Sequence, residues 1–110
     1  MQLRLPLLAA LLILSPTLCP AGQAASERAN VVAFYTSYLE MVRAPDFVRL
    51  SRDDKGAWEA KCDAAARKAG FEDAAAARAA GENMADDPEV AALRQSVDDT
   101  IARQYRPYRD

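Results

Sequence analysis

The side chains of this chain that could do chemistry fall into three small groups, and none forms a catalytic set. Histidine is absent. Its absence removes the imidazole base, the Ser-His-Asp and Cys-His arrangements and the commonest metal ligand. The cysteines are Cys19 and Cys62. Lys61 precedes Cys62, but neighbours at i,i+1 on a helix point to different faces. The lysine therefore does not supply the electropositive setting that a thiolate needs. Cys62 shares its own face with Trp58 and Ala65. The first reading of Cys62 is a small buried core side chain. The second is an intermolecular disulfide, because an odd cysteine in an oxidising compartment invites one. A redox thiol ranks last.

The second group is carboxylate pairs: Asp53-Asp54, Asp86-Asp87 with Glu89, and Asp98-Asp99. Acid–base work by two carboxylates requires both to face one cleft, and adjacent residues of a helix do not. The first two pairs stand at expected helix starts, where the helix dipole favours acids. The spacing of a calcium loop is missing. The sequence thus assigns no catalytic, cofactor-binding or metal-ligating residue and predicts a protein that is not an enzyme.

The third group lies at the C-terminus, where Tyr105, Arg106, Tyr108 and Arg109 alternate aromatic and cationic character. Tyr and Arg are enriched at binding hot spots. These four residues are candidate partner contacts, against the competing reading of a frayed chain end. Arg94 joins them. On a helical wheel it falls at the edge of the apolar stripe, between Val90 and Tyr105. The alternative for Arg94 is a stem that snorkels to water.

The elements that would position these residues begin after residue 24. Residues 5–14 (LPLLAALLIL) follow Arg4 and precede a small-residue segment at 20–25. That is the layout of a secretory signal peptide, and ten apolar residues are too few to span a bilayer, which needs about 20. Gly22 and Ala24 suit the −3 and −1 positions, so cleavage is expected after Ala24. Lipidation at Cys19 is disfavoured by the bulky Leu18 before it. Residues 25–110 then hold 13 cations against 16 acids, a net charge of −3. Nucleic-acid binding calls for a basic surplus and anionic lipid for a polybasic anchor. Neither partner, nucleic acid nor membrane, is expected of the processed chain.

Four helices are predicted: 27–43 with Ser26 as N-cap, 52–69 with Ser51 as N-cap, 73–85 interrupted at Gly81, and 88–104 with Asp87 as N-cap. Pro88 at the first helical position and Glu89 in the first turn make the last start the clearest. In the first helix, Val31, Val32, Phe34, Tyr35, Tyr38, Leu39, Met41 and Val42 cover one half of the wheel. So wide an apolar arc predicts packing against two neighbours. Ala44-Pro45 ends it, and Gly70 fits a C′ cap. Asp63 and Arg67 make an i,i+4 pair. Of the 36 residues 57–92, 15 are alanine. The core therefore falls to Phe34, Tyr35, Tyr38, Leu39, Trp58, Phe71, Met84, Leu93 and Ile101. No alternating strand pattern appears.

The expected protein is all-α: a signal peptide (1–24), a helical domain of three to four short helices (25–104) and a C-terminal tail (105–110). It is secreted, with alanine, arginine and aspartate content that suggests a bacterial periplasm. The expected role is a non-enzymatic protein-interaction module whose partner is another envelope protein, with a homodimer also open. The alternative is a small-ligand or metal carrier with a groove between helices near Tyr35, Tyr38 and Trp58.

Overall fold

The structure, a computed structural model, describes residues 26–108. The expected signal peptide, Cys19 and Arg109 lie outside the described residues. Within them every regular element is helical: α1 (26–43), α2 (Phe47–Asp53), α3 (Lys55–Lys68), α4 (Ala74–Asn83), α5 (Pro88–Tyr105) and a closing 3₁₀ turn, Arg106–Tyr108.

The central helix is α1. Val31, Phe34, Tyr35, Leu39 and Val42 are buried along it, and Val32, Tyr38 and Met41 flank them half-buried. The wide apolar arc is used as expected, with neighbours on both sides. The helix stops before Pro45.

The segment expected to begin a helix at 52 is built differently. Phe47 and Leu50, spaced i,i+3, are both buried and draw residues 47–53 into a helix of their own. Ser51 is inside α2 and not a cap. Its hydroxyl donates to the Phe47 carbonyl at 2.8 Å. The cap of α3 is Asp54, whose carboxylate accepts from the Ala57 amide at 3.3 Å after a one-residue break. Five α-helices therefore stand among the described residues where three or four were expected, because a short apolar pair suffices to hold a two-turn helix once a core is there to cover it.

At the end of α3 the amide of Gly70 donates to the Arg67 carbonyl and that of Phe71 to the Ala66 carbonyl. This is the Schellman arrangement, and Gly70 takes the left-handed φ of 103° that it requires. Asp63 does not pair with Arg67 but accepts from the Ala74 amide at 3.0 Å, tying α3 to the start of α4. Asp73 caps α4 through the Ala76 amide at 2.8 Å. Gly81 does not interrupt α4, which runs through it. Its missing side chain makes room for Tyr35: a Cβ at Gly81 would lie 2.6 Å from Tyr35 Cε2 and 2.8 Å from its hydroxyl oxygen.

Asp87 caps α5 as expected, accepting from the Glu89 and Val90 amides at 3.0 and 3.2 Å. Polar clamps fix the direction of α5 against α1. Arg28 near the start of α1 binds Asp87 and also Glu89 at 2.8 Å. At the other end, Gln104 Nε2 donates to the Val42 and Ala44 carbonyls at 2.8 and 3.3 Å. These contacts make α1 and α5 parallel, with α2, α3 and α4 as the crossover. Helix α3 runs opposite to α1, since Trp58 meets Tyr38 at one end and Gly70 meets Asn30 at the other.

The core corrects the expected one in part. Phe34, Tyr35 and Leu39 are buried, but Tyr38, Trp58, Phe71, Met84, Leu93 and Ile101 are only half-buried against it. Phe47 and Leu50 take their place, joined by Cys62, Ala66, Ala74, Ala77 and Ala80.

Candidate functional site

Three helices converge on one concavity. Its lining comes from Tyr35 and Tyr38 of α1, Arg78 and Glu82 of α4, and Arg94, Val97, Asp98 and Ile101 of α5. The groove encloses about 180 Å³. Its geometry follows from residue size. The alanines of α4 let that helix come close to α1, and Gly81 seats the Tyr35 ring directly on the α4 backbone. The long side chains at 78, 82, 94 and 98 then form the walls.

Tyr35 is 5% exposed. Burial pushes its hydroxyl above the ordinary tyrosine range, while the guanidiniums of Arg94 and Arg78 act in the opposite direction. Both arginines therefore bear on this hydroxyl. The Arg78 guanidinium also lies over the Tyr38 ring, 5.6 Å from its centroid, in cation–π geometry. Among the described residues the ion pairs are Arg28 with Asp87 and Glu89, Arg49 with Asp46, and Arg52 with Asp53. Arg78, Arg94, Glu82 and Asp98 take part in none of them. The groove thus presents two guanidiniums, two carboxylates and two phenols not engaged in ion pairs with one another.

A second depression of about 220 Å³ lies between α3 and α4, lined by Glu59, Cys62, Asp63, Asp73, Arg78 and two alanines. Cys62 is 2% exposed. Burial raises its thiol pKa, against a smaller opposite pull from Arg78, so the sulfur stays protonated and poorly nucleophilic at neutral pH. A bridge to a second chain would require this thiol to leave the core first. Among the described residues, no group of three or more His, Cys, Asp or Glu is placed to hold a metal ion. No helix there is long and apolar enough to cross a membrane.

The candidate partner residues do not form one surface. Tyr105 is turned inward: its ring meets Phe47 edge-on at 5.6 Å and its hydroxyl is hydrogen-bonded to Ser51. The chain end is therefore docked as far as Tyr105. Arg106 and Tyr108 are exposed in the 3₁₀ turn, with the Arg52 guanidinium 5.4 Å from the Tyr108 centroid. Arg94 lies apart from them, in the groove. The carboxylate pairs are likewise split. Asp54 and Asp87 are caps, Asp53 sits 3.5 Å from Arg52, Asp99 accepts from Gln95 at 2.9 Å, and Asp98 lines the groove.

Sequence reasoning named Tyr35, Tyr38 and Arg94, named Asp98 only as one of a carboxylate pair, and missed Arg78 and Glu82. Trp58, named for the groove, does not line it and sits instead between Phe47, which it meets edge-on, and Tyr38, with centroids at 5.0 and 6.2 Å. One available signal was overlooked: Arg78 is the lone cation in the alanine run 74–80. No family model, no curated protein and no solved structure matches this chain.

Proposed function

We propose that this is a secreted, non-enzymatic binding module of the bacterial envelope, and that its recognition surface is the groove between α1, α4 and α5. The observation that carries this reading is the convergence of Arg78 and Arg94 on the Tyr35 and Tyr38 phenols in one concavity, with no ion-pair partner for either guanidinium among the described residues. Arg78 is exposed and Arg94 half-buried, so both guanidiniums are accessible to donate to a ligand. The lack of histidine and the buried, protonated Cys62 support a binding role over catalysis. At about 180 Å³ the groove is below the ~300–1,000 Å³ of drug-sized sites. It suits a molecule of few heavy atoms.

The test is a thermal-shift screen of small polar metabolites on the purified protein, with hits mapped by amide chemical-shift changes. Ligand bound to the native state raises the melting temperature by mass action. Hits that perturb residues around 35, 78 and 94 support the groove. Hits confined to other surfaces remove it. Mass spectrometry of the secreted protein should find Ala25 as its first residue, and a protein retained whole in the cytoplasm would refute the envelope assignment.

A second reading rests on Tyr108, which is 58% exposed with Arg52 over its ring. Here the module docks another envelope protein through Arg52, Arg106 and Tyr108. Affinity capture, with and without reductant, separates the two readings. One protein retained by the wild type and lost on removal of residues 106–110 would favour this surface. Retention only without reductant would point to Cys62.

A further inference from the structure

We propose that the groove takes a small zwitterion carrying a carboxylate and an ammonium group close together, as a free α-amino acid does. The inference rests on the groove being the recognition surface. Its first ground is the charge inventory. The lining has two cations, Arg78 and Arg94, and two anions, Glu82 and Asp98. A simple anion entering it would gain from the arginines and be repelled by the acids, and a simple cation would meet the reverse. A zwitterion satisfies both signs at once.

The second ground is that these charges are not spent on each other. Arg78 with Glu82 and Arg94 with Asp98 stand at i,i+4, within reach of a surface ion pair, but with the cation first, which is the weaker order. No ion pair within 4 Å joins them among the described residues. Arg78 is held instead against the Tyr38 ring.

The third ground is how the charges are arranged. Both guanidiniums bear on the Tyr35 hydroxyl, which Gly81 admits to the groove by lacking a side chain. The Tyr35 side chain lines the groove, and its hydroxyl is within hydrogen-bonding reach of the Arg94 guanidinium, which donates to the phenol oxygen and leaves the phenol hydrogen for a ligand. Arg78, Arg94 and the Tyr35 hydroxyl are donors suited to a carboxylate. Glu82 and Asp98, both exposed, stand about one helical turn from Arg78 and Arg94 and can accept from an ammonium group.

The experiment is a calorimetric and chemical-shift titration of the purified protein with the free L-amino acids, their methyl esters and their N-acetyl derivatives. The ester has no carboxylate and the N-acetyl form no ammonium. At least one free amino acid should bind with shifts at residues around 35, 78 and 94, and each of its blocked forms should bind at least about tenfold more weakly. Arg94→Gln and Asp98→Asn should each weaken the free amino acid while Arg94→Lys restores part of the loss, and an unchanged cooperative melt shows that the variants fold. Esters or N-acetyl forms that bind as well as the free amino acid would overturn the zwitterion, as would wild-type affinity in Arg94→Gln. If other metabolites occupy the groove while every amino acid fails, the zwitterion falls and the binding site stands. If no compound perturbs the groove, both fall.

Discussion

Two regions of this small bundle are stabilised by opposite means. Around the C-terminal half of α1, large rings meet one another: Phe34 with Tyr38 at 5.5 Å, Phe47 with Trp58 at 5.0 Å, Phe47 with Tyr105 at 5.6 Å. Along α4 the buried residues are Ala74, Ala77, Ala80 and Gly81. The aromatic region gains stability from apolar area, which is worth roughly 25 cal/mol per Å² buried. The alanine seam has little area per residue and gains from close approach. The difference shows in what each region leaves over. Rings fill their own space, whereas a seam of small residues leaves the long side chains around it to define a groove. The candidate site lies on the alanine side for that reason.

Phe34→Ala tests the aromatic side most severely. Phe34 is fully buried, and its loss should cost about 3–5 kcal/mol, read as a fall in the chemical-denaturation midpoint. A near-native midpoint would mean that the rings do not carry the fold. Trp58→Ala should be milder, since the Trp is half-buried, and should retain a cooperative melt.

Gly81→Ala tests the seam. The new methyl would lie 2.6 Å from the Tyr35 ring, and overpacking costs roughly 1–3 kcal/mol. That exceeds the ~1 kcal/mol of helix propensity gained. Gly56→Ala is the control: nothing lies within 4 Å of its added Cβ, so it should be neutral or stabilising by up to about 1 kcal/mol. Equal effects of the two would show that α4 does not pack closely on Tyr35.

Truncation sharpens the boundary between fold and tail. Removing residues 106–110 should leave the melting temperature nearly unchanged. Removing 105–110 should lower it clearly, because Tyr105 packs on Phe47 and binds Ser51. Identical melts for the two would make Tyr105 part of a free tail after all.

The smallest effect is expected from the clamp between α1 and α5. The Arg28 guanidinium, with the Val90 and Glu89 amides, holds the Asp87 carboxyl below its ordinary range. A depressed carboxyl contributes stability above its unfolded pKa of about 3.9 and loses it as pH falls through the folded value. Wild type should therefore exceed Arg28→Gln in stability near neutrality, with the gap closing below about pH 4. Added salt should narrow the gap too, as the pair is exposed. A gap that is constant across pH would mean that Arg28 acts through packing alone.

Much of the fold was legible because its signals are local. The Asp87-Pro88-Glu89 start, the Gly70 cap and the Pro45 stop each depend on a few adjacent residues, and the structure has all three. The α2 helix was not legible. Phe47 and Leu50 are only two apolar positions, and a helix of seven residues is not stable without a core to cover it. Gly81 was misread for a related reason. Within the helix a glycine reads as a break, and only the ring of Tyr35, distant in sequence, makes it a packing residue. In the candidate site, Tyr35, Tyr38 and Arg94 were accessible from the wheel. Arg78, Glu82 and Asp98 looked like ordinary solvated side chains, because nothing local shows that α4 and α5 flank the same stretch of α1.

By itself the sequence determined the helical class, most of the helix ends and the poverty of reactive groups, since propensity, capping and residue type act over a few bonds. The tertiary structure decided which residues share a cavity, that Cys62 is buried, that Tyr105 packs against the core and that Arg94 does not belong with the tail. Those outcomes depend on the parallel pairing of α1 with α5, which is fixed by contacts between residues some sixty positions apart.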